Sequence, residues 1–222
     1  MPRRIQDFGP LALLLEWEQR IDPAINHSVL AYTRYLESQD GVVECIPGYA
    51  SLLVRVTRER TRWKELLYDL RVPVAESPPG VLHRLPVRYG GSFGPDLASV
   101  ARHAGLTERE VIDLHTGQDY RVYLLGFRPG FGFLGSLPAQ LEMARHGTPR
   151  ARVPAGSVGL AGRQTGVYPL DSPGGWQLIG NCPLPLLTAS GNARLAPGDR
   201  VRFYAIDADA RLDGENHASW TD

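Results

Sequence analysis

The segment Val153–Gly180, which reads VPAGSVGLAGRQTGVYPLDSPGGWQLIG, decides how the second half of the chain folds. Seven of its 28 residues are glycine and three are proline. Glycine permits positive φ and close approach to the main chain, and proline fixes φ, so together they specify a chain that turns in a defined way. Apolar residues such as Val158, Leu160 and Trp176 recur between the turns, which distinguishes the segment from a flexible linker. We therefore predict an ordered, loop-rich surface between short strands.

The composition of the 222-residue chain excludes several classes of function. Lys and Arg total 24 and Asp and Glu total 24, so the formal net charge is zero and the basic footprint of a nucleic-acid-binding protein is missing. No apolar run approaches the roughly 20 residues of a transmembrane helix, and no signal peptide is visible. The cysteines, Cys45 and Cys182, lie far apart and have no redox or metal-binding spacing. We expect a cytoplasmic protein with reduced thiols that binds neither nucleic acid nor membrane.

The first 80 residues alternate the signals of strands and helices. Asp22 and Pro23 are an N-cap residue and a first-turn proline, so a helix begins there, and we expect Gly41 to end it. A second helix is expected around Trp63. Strands are predicted at Leu11–Trp17, Val42–Ile46 and Ser51–Val56, and a linker at Glu76–Gly80. This β-α-β-β-α order predicts a small α+β domain over residues 1–80.

Residues 81–222 begin with a predicted strand, Val81–Tyr89, whose pairing partner can lie on either side of the linker. Two short helices follow, and Thr107 and Glu110 form a capping box at the start of the second one. After a strand at Tyr120–Gly126, short apolar runs alternate with Gly/Pro turns. Many short strands with turn signals predict a barrel or a sandwich over residues 81–222.

Short catalytic motifs do not explain this second part. Gly130–Gly135 matches the G-x-G-x-x-G pattern, but Pro138 prevents the helix that a dinucleotide site requires after its glycines. No Walker A loop is present, and Ala155 stands where a nucleophile elbow needs its first glycine. The six histidines have no metal-ligand spacing, so we expect no intrinsic metal site.

Two features carry candidate chemistry, and each has a structural alternative. His115 ends a predicted helix, where it is either a residue favoured by the helix dipole or an acid/base group at a domain edge. Within the Gly/Pro segment, backbone amides spaced by glycine can form an anion or oxyanion nest, but they equally suit tight barrel turns. The polar side chains available there are Ser157, Gln164, Thr165, Tyr168 and Ser172, with Arg150, Arg152 and Arg163 nearby.

Longer runs of sequence point to one family. The runs are Tyr89–Gly91 with Gly94–Leu97, Val111–His115, Leu125–Gly135, Thr148–Arg150 and nearly all of Val153–Gly180, with looser matches at Ile21–Asn26 and Ile46–Leu52. On these runs the chain resembles the KipI/PxpB family, also described as allophanate hydrolase subunit 1 or the carboxyltransferase subdomain type. The resemblance covers almost the whole chain.

The resemblance implies an α+β N-terminal domain, residues 1–80, followed by a cyclophilin-like β-barrel C-terminal domain, residues 81–222. It implies a partner, a C-type subunit that carries a related barrel, and a third, A-type subunit. Together the three resemble the bacterial ATP-dependent 5-oxoprolinase, which opens the lactam of 5-oxoproline to give glutamate. The implied cofactor is ATP, with Mg²⁺ accompanying it, and this chain is expected to be inactive without its partners.

Site roles follow from the same resemblance. ATP-coupled lactam opening needs cations and N–H donors around phosphoryl and oxyanion charge, together with a group that transfers protons. The residues expected to be catalytic are His115, Gln164 and Tyr168. Those expected to bind substrate or nucleotide are Arg150, Gly156, Ser157, Arg163, Thr165, Ser172 and Trp176.

Two other functions are compatible with the resemblance. A KipI-like inhibitor would bind a sensor histidine kinase through an apolar patch on the barrel, without catalysis. A carboxyltransferase-like subunit of urea or allophanate metabolism would need a biotin-carrying partner, because the only lysine here is Lys64 and no biotin-attachment site is visible.

Overall fold

The computed structural model describes residues 1–57, 60–73 and 80–210. The chain divides into two compact units, Met1–Pro79 and Gly80–Asp222. The linker expected at Glu76–Gly80 lies, apart from Gly80, outside the described residues.

The first unit is a four-stranded antiparallel sheet with two helices. Its elements are β1 (Arg4–Asp7), β2 (Ala12–Glu16), α1 (Pro23–Glu37), β3 (Val42–Pro47), β4 (Ser51–Val56) and α2 (Arg60–Asp69). The strands lie in the order β1-β2-β4-β3. The three expected strands and both helices are confirmed, whereas β1 is an additional strand that the sequence did not predict.

Helix α1 begins as its sequence predicts. The Asp22 carboxylate accepts hydrogen bonds from the backbone amides of Ala24 (2.8 Å) and Ile25 (3.2 Å), and Pro23 occupies the first turn. The expected end at Gly41 is wrong, because the helix stops at Glu37. Gly41 instead has a φ of +90° and forms the turn into β3, where its carbonyl accepts the amide of Thr57.

The core of the first unit lies between the sheet and α1. Leu13 and Leu15 on β2 and Leu52 and Val54 on β4 are fully buried at alternate positions, as expected for a sheet with one covered face. The buried side chains of α1 that pack in the same cluster are Val29, Tyr32 and Leu36. This packing of apolar side chains joins α1 to the sheet.

The second unit is built around a closed barrel of seven strands. Its elements are β5 (Leu82–Tyr89), α3 (Leu97–Ala104), α4 (Glu108–Thr116), β6 (Asp119–Leu125), β7 (Gly132–Gly135), β8 (Arg150–Val153), β9 (Ser157–Ala161), β10 (Gln164–Val167), β11 (Ser172–Gly174), β12 (Gln177–Asn181) and β13 (Arg200–Ala205). The barrel order is β10-β7-β6-β13-β5-β12-β9, and β8 and β11 form a separate two-stranded ribbon. Of the two architectures left open by the sequence, the structure has the barrel.

Strand β5 closes the barrel inside its own unit. It runs parallel to β13 from Leu82 to Val87 and antiparallel to β12 at its end, which resolves the partner that the sequence left open.

The predicted capping box of α4 is confirmed. The Thr107 hydroxyl accepts the amide of Glu110, and the Glu110 carboxylate accepts the amide of Thr107.

The loop between β5 and α3 is tied to β12 by close backbone contact. Gly90 donates its amide to the carbonyl of Ile179 (3.1 Å), and Gly94 lies against the same carbonyl, where a Cβ atom has no room. Asp96 donates its amide to the Leu178 carbonyl (2.9 Å). These contacts hold Asp96, at the start of α3, against the Gly/Pro segment.

Candidate functional site

The Gly/Pro segment borders two cavities of the second unit. The smaller, named the aromatic cavity, has a volume of about 120 Å³ and is lined by Phe127, Phe131, Phe133, Arg145, Tyr168, Gly174, Gly175 and Trp176. The larger, named the arginine cavity, has a volume of about 400 Å³ and is lined by Ser92, Phe93, Pro95, Arg150, Arg152, Pro154, Ser157, Leu178 and Asn181. Four of the residues expected from the sequence to form the site line these cavities: Arg150, Ser157, Tyr168 and Trp176.

A buried carboxylate positions Arg150 in the wall of the arginine cavity. Asp96 accepts hydrogen bonds from the Leu178 amide (2.6 Å), from Nη2 of Arg150 (2.7 Å) and from Nε2 of His146 (3.2 Å). Arg150 also donates from Nη1 to the carbonyl of Trp176 (3.4 Å). One guanidinium group therefore links the loop before α3 to the segment that carries Trp176.

Asp96 remains ionised in this position. Burial on its own would raise the pKa of Asp96, but the Leu178 amide and the hydrogen bonds of its two basic neighbours hold that pKa below its ordinary value. An ionised carboxylate with three donors fixes the geometry of Arg150 more strongly than neutral hydrogen bonds would.

The aromatic cavity is formed by rings in edge-to-face contact. The Phe131 ring centroid lies 5.2 Å from that of Tyr168, 5.3 Å from that of Trp176 and 4.9 Å from that of Phe133. These separations are within the range of favourable aromatic pairs. Burial raises the pKa of the Tyr168 phenol, so the hydroxyl keeps its proton and can donate a hydrogen bond.

His115 lies inside the barrel, away from both cavities. Its side chain stacks on Phe203 at 4.6 Å between ring centroids and has an exposure of 0%. Nδ1 lies 2.7 Å from the Tyr89 hydroxyl and Nε2 lies 3.0 Å from the Thr165 hydroxyl. Burial lowers the pKa of His115 to about 3, so the imidazole is neutral at physiological pH. The structure therefore places His115 as an interior hydrogen-bonding residue rather than at a ligand-accessible edge.

Gln164 and His115 are not brought together. Gln164 and Thr165 are neighbours on β10, and neighbouring residues of a strand face opposite sides of the sheet. Thr165 is buried and faces the barrel interior, where it contacts His115. Gln164 consequently faces away from the barrel interior. The hydroxyl of Thr165 contacts His115 in the core and is not directed at a ligand.

The backbone amides at the start of the Gly/Pro segment are already in use. Gly156 has a φ of +81°, donates its amide to the Tyr168 carbonyl (2.7 Å) and accepts the amide of Cys182 (2.7 Å). Ser157 donates its amide to the Pro154 carbonyl (3.2 Å). Of the two interpretations of the sequence, tight barrel turns describe this stretch, since these two amides do not point at an open nest.

The remaining expected residues lie outside the two cavities. Arg163 is exposed at the turn between β9 and β10 and donates to the Leu137 carbonyl (3.2 Å). Ser172 is buried on β11, and its hydroxyl has no hydrogen-bond partner within the described part of the chain. Neither side chain lines the aromatic or the arginine cavity.

Sequence reasoning missed Asp96, Arg145 and the phenylalanines of the aromatic cavity. Phe131 and Phe133 belong to the G-x-G-x-x-G run, which does not fit a dinucleotide site but carries part of the family resemblance. Two phenylalanines spaced by glycine after a predicted strand were therefore the sequence signal that could have indicated the aromatic cavity.

Three further properties of the described residues concern metal ligands, membrane-spanning helices and cysteines. No group of three or more His, Cys, Asp or Glu side chains capable of holding a metal ion occurs within residues 1–57, 60–73 and 80–210. None of the helices in the described part of the chain is long and apolar enough to cross a membrane. Cys45 and Cys182 are buried free thiols.

The sequence matches the family model described as carboxyltransferase domain, subdomain C and D, over residues 3–194. It is 40% identical over 223 residues to the 5-oxoprolinase B subunit of Bacillus subtilis (strain 168), covering 91% of this chain and 92% of that protein. It is 43% identical over 202 residues to the 5-oxoprolinase B subunit of Escherichia coli O157:H7, covering 88% of this chain and 93% of that protein.

A solved structure agrees with these matches. The crystal structure of TTHA0988 superposes on 90% of this chain with a TM-score of 0.78 and 35% sequence identity. The matched part is 41% of that protein, so this chain spans less than half of its length. The family resemblance carried by the Gly/Pro segment is confirmed.

Proposed function

Because the chain belongs to the family of the carboxyltransferase domain, subdomain C and D, and its curated relatives are 5-oxoprolinase B subunits, we propose that it is the B subunit of an ATP-dependent 5-oxoprolinase. The reaction opens the lactam of 5-oxoproline to give glutamate. The observation that carries the proposal is the 40% identity to the Bacillus subtilis protein over 91% of this chain.

The chemistry explains why ATP is consumed. A five-membered lactam is a resonance-stabilised amide with a poor leaving group, and a phosphoryl group from ATP on its carbonyl oxygen would activate it toward water. Such a site needs preorganised cations and donors where anionic charge develops. Arg150 and Arg152 supply guanidinium donors in the arginine cavity, and Ser157 lies beside them.

The arginine cavity fits an anionic group of the size of a nucleotide phosphate chain. Its volume of about 400 Å³ falls within the roughly 300–1,000 Å³ of small-molecule pockets. Arg150 and Arg152 already pair with Asp96 and Asp171, but a guanidinium has five N–H donors and can serve a carboxylate and a ligand together. Mg²⁺ is expected to arrive with ATP rather than to occupy a protein site.

The site roles are divided between the two cavities. Arg150 and Ser157 are proposed to contact the nucleotide, and Tyr168 and Trp176 the substrate. Gln164 and Arg163 are proposed to act only where a partner subunit completes the site. Gly156, Thr165, Ser172 and His115 are proposed to shape the wall rather than to touch a ligand.

Partner subunits are part of the proposal. A C-type subunit with a related barrel and an A-type subunit would complete the active complex, and this chain alone would be inactive in the cytoplasm. We further propose that the two compact units are separate domains, an α+β domain up to residue 80 and a cyclophilin-like barrel domain after it.

An omission assay tests this function. With purified A- and C-type subunits, ATP and 5-oxoproline, we expect glutamate to form only when this chain is added, because the site would be incomplete without it. The measurement is glutamate and ADP released per unit time, with each subunit left out in turn. An equal rate without this chain would contradict the proposal, and tight binding to a histidine kinase dimerisation domain without turnover would favour the inhibitor function instead.

A further inference from the structure

We propose that the aromatic cavity is the binding site for the lactam ring of 5-oxoproline and that Arg145 receives its carboxylate. This inference rests on the proposed function. It assigns the substrate to a cavity of which the sequence predicted only Tyr168 and Trp176. The shape, the size and the charge of the cavity each support it.

The walls of the cavity suit a flat, weakly polar ring. Phe131 forms the centre, with the rings of Tyr168, Trp176 and Phe133 around it in edge-to-face contact. Gly174 and Gly175 complete the lining without side chains, and a Cβ atom at Gly174 would lie 2.5 Å from the Tyr168 hydroxyl oxygen. The glycine therefore keeps the space beside this hydroxyl open, and a protonated phenol can donate to a lactam carbonyl.

The volume selects a single small ring. A buried apolar cavity of roughly 150 Å³ accommodates benzene, and pockets for drug-sized molecules begin at roughly 300 Å³. At about 120 Å³, the aromatic cavity matches a five-membered ring and is too small for a nucleotide. ATP and the lactam are thus assigned to different cavities.

The charge around the cavity calls for an anionic ligand. The guanidinium carbon of Arg145 lies 5.9 Å from the centroid of the Trp176 ring, and that of Arg128 lies 6.0 Å from the centroid of the Phe127 ring. Within residues 1–57, 60–73 and 80–210, neither arginine has a carboxylate partner, and no acidic residue lines the cavity. A ligand carboxylate would supply the missing partner, and arginine binds carboxylates with two parallel hydrogen bonds.

Phe127, at the mouth of the cavity, has a left-handed backbone conformation. Phe127 has a φ of +66°, which side chains with a Cβ rarely adopt, and its side chain is 59% exposed. Hydrogen bonds from the Arg128 amide to the Gly126 carbonyl (2.7 Å) and from the Phe131 amide to the Arg128 carbonyl (3.0 Å) fix this turn. Backbone strain of this kind is concentrated at ligand sites, and here it presents an aromatic ring at the entrance.

The first experiment uses the three-subunit mixture. Arg145→Gln is expected to raise the KM for 5-oxoproline about tenfold, the effect of one lost charge-assisted hydrogen bond, while the KM for ATP stays unchanged. Arg102→Gln is the matched control, since Arg102 is an exposed arginine of α3 whose side chain donates to the Ser99 hydroxyl. Turnover with an unchanged KM for 5-oxoproline in Arg145→Gln would overturn the site while leaving the proposed function standing.

The second experiment separates the site from the function. Trp176 is one of four tryptophans, so the difference between the fluorescence of the wild-type chain and that of Trp176→Phe isolates its signal. We expect 5-oxoproline to change this signal, and 2-pyrrolidinone, which lacks the carboxylate, to bind about tenfold more weakly. In Arg145→Gln, the two ligands are expected to bind with equal affinity. If the mixture shows no turnover, equal affinities of the Arg145→Gln chain for the two ligands support the site alone. No response of the wild-type chain to 5-oxoproline overturns the site.

Discussion

Replacing Asp96 by asparagine is expected to lower the free energy of unfolding by about 3 kcal/mol, because the substitution removes a buried negative charge that accepts several hydrogen bonds. The Asp96 carboxylate accepts the Leu178 amide and the side chains of Arg150 and His146. An asparagine offers one oxygen, and its NH₂ group would face a donor. The change is measured by urea denaturation, with the unfolding midpoint followed by circular dichroism.

Asp171→Asn is the matched control for this experiment. Asp171 has similar partners, the Arg152 side chain and the Ala155 amide at 2.8 Å, but it is exposed to solvent. Water screens exposed pairs, so this control is expected to change stability far less. Equal effects of the two substitutions would show that Asp96 does not anchor the wall of the arginine cavity.

The second large effect is a loss of stability in acid that depends on His115. Burial lowers the pKa of His115 to about 3 in the folded chain, against an ordinary 6.5. The unfolded chain therefore binds a proton below pH 6.5 that the folded chain rejects, so the stabilisation is complete above that pH and falls as the pH drops toward 3. One pKa unit corresponds to about 1.36 kcal/mol, so a pKa lowered from 6.5 to about 3 makes the full loss on the order of 5 kcal/mol.

His115→Gln isolates this contribution, because glutamine keeps hydrogen-bonding capacity without titrating. Between about pH 7 and pH 4.5, the wild-type chain is expected to lose roughly 2–3 kcal/mol more unfolding free energy than the variant. A direct NMR titration of the His115 imidazole supplies a second measurement that needs no variant. Parallel stability curves, or an imidazole that protonates near its ordinary pKa of about 6.5, would contradict the interior placement of His115.

Local signals in the sequence predicted the parts of the fold that neighbouring residues determine. The start of α1 at Asp22 and Pro23 and the capping box of Thr107 and Glu110 each depend on contacts within a few residues. The end of α1 does not lie at Gly41 as expected, because a glycine with positive φ serves a turn as readily as a helix terminus. Short apolar runs between turn signals predicted many short strands after residue 80, but they left a barrel and a sandwich equally open.

The candidate site was predicted less completely because its contacts are distant in sequence. Asp96 is separated by 82 residues from Leu178 and by 54 from Arg150. The residues near Asp96 in the sequence therefore do not predict its hydrogen-bond partners. The register of β10 determines that Thr165, and not Gln164, contacts His115. In a polar strand with many glycines, the sequence pattern does not show which face of the strand is turned to the core. Tyr168 and Trp176 were identified through the family resemblance, whereas Arg145 required the packed rings to be seen.

If the chain is the B subunit of a 5-oxoprolinase complex, the wall that carries Arg150 takes part in the reaction. The most direct test is Arg150→Lys in the three-subunit mixture, since lysine keeps the positive charge but cannot bond Asp96, the Trp176 carbonyl and a ligand together. We expect kcat/KM for ATP-dependent opening of 5-oxoproline to fall at least about tenfold, while the free energy of unfolding changes by less than about 1 kcal/mol. An unchanged kcat/KM in a normally folded Arg150→Lys chain would contradict it.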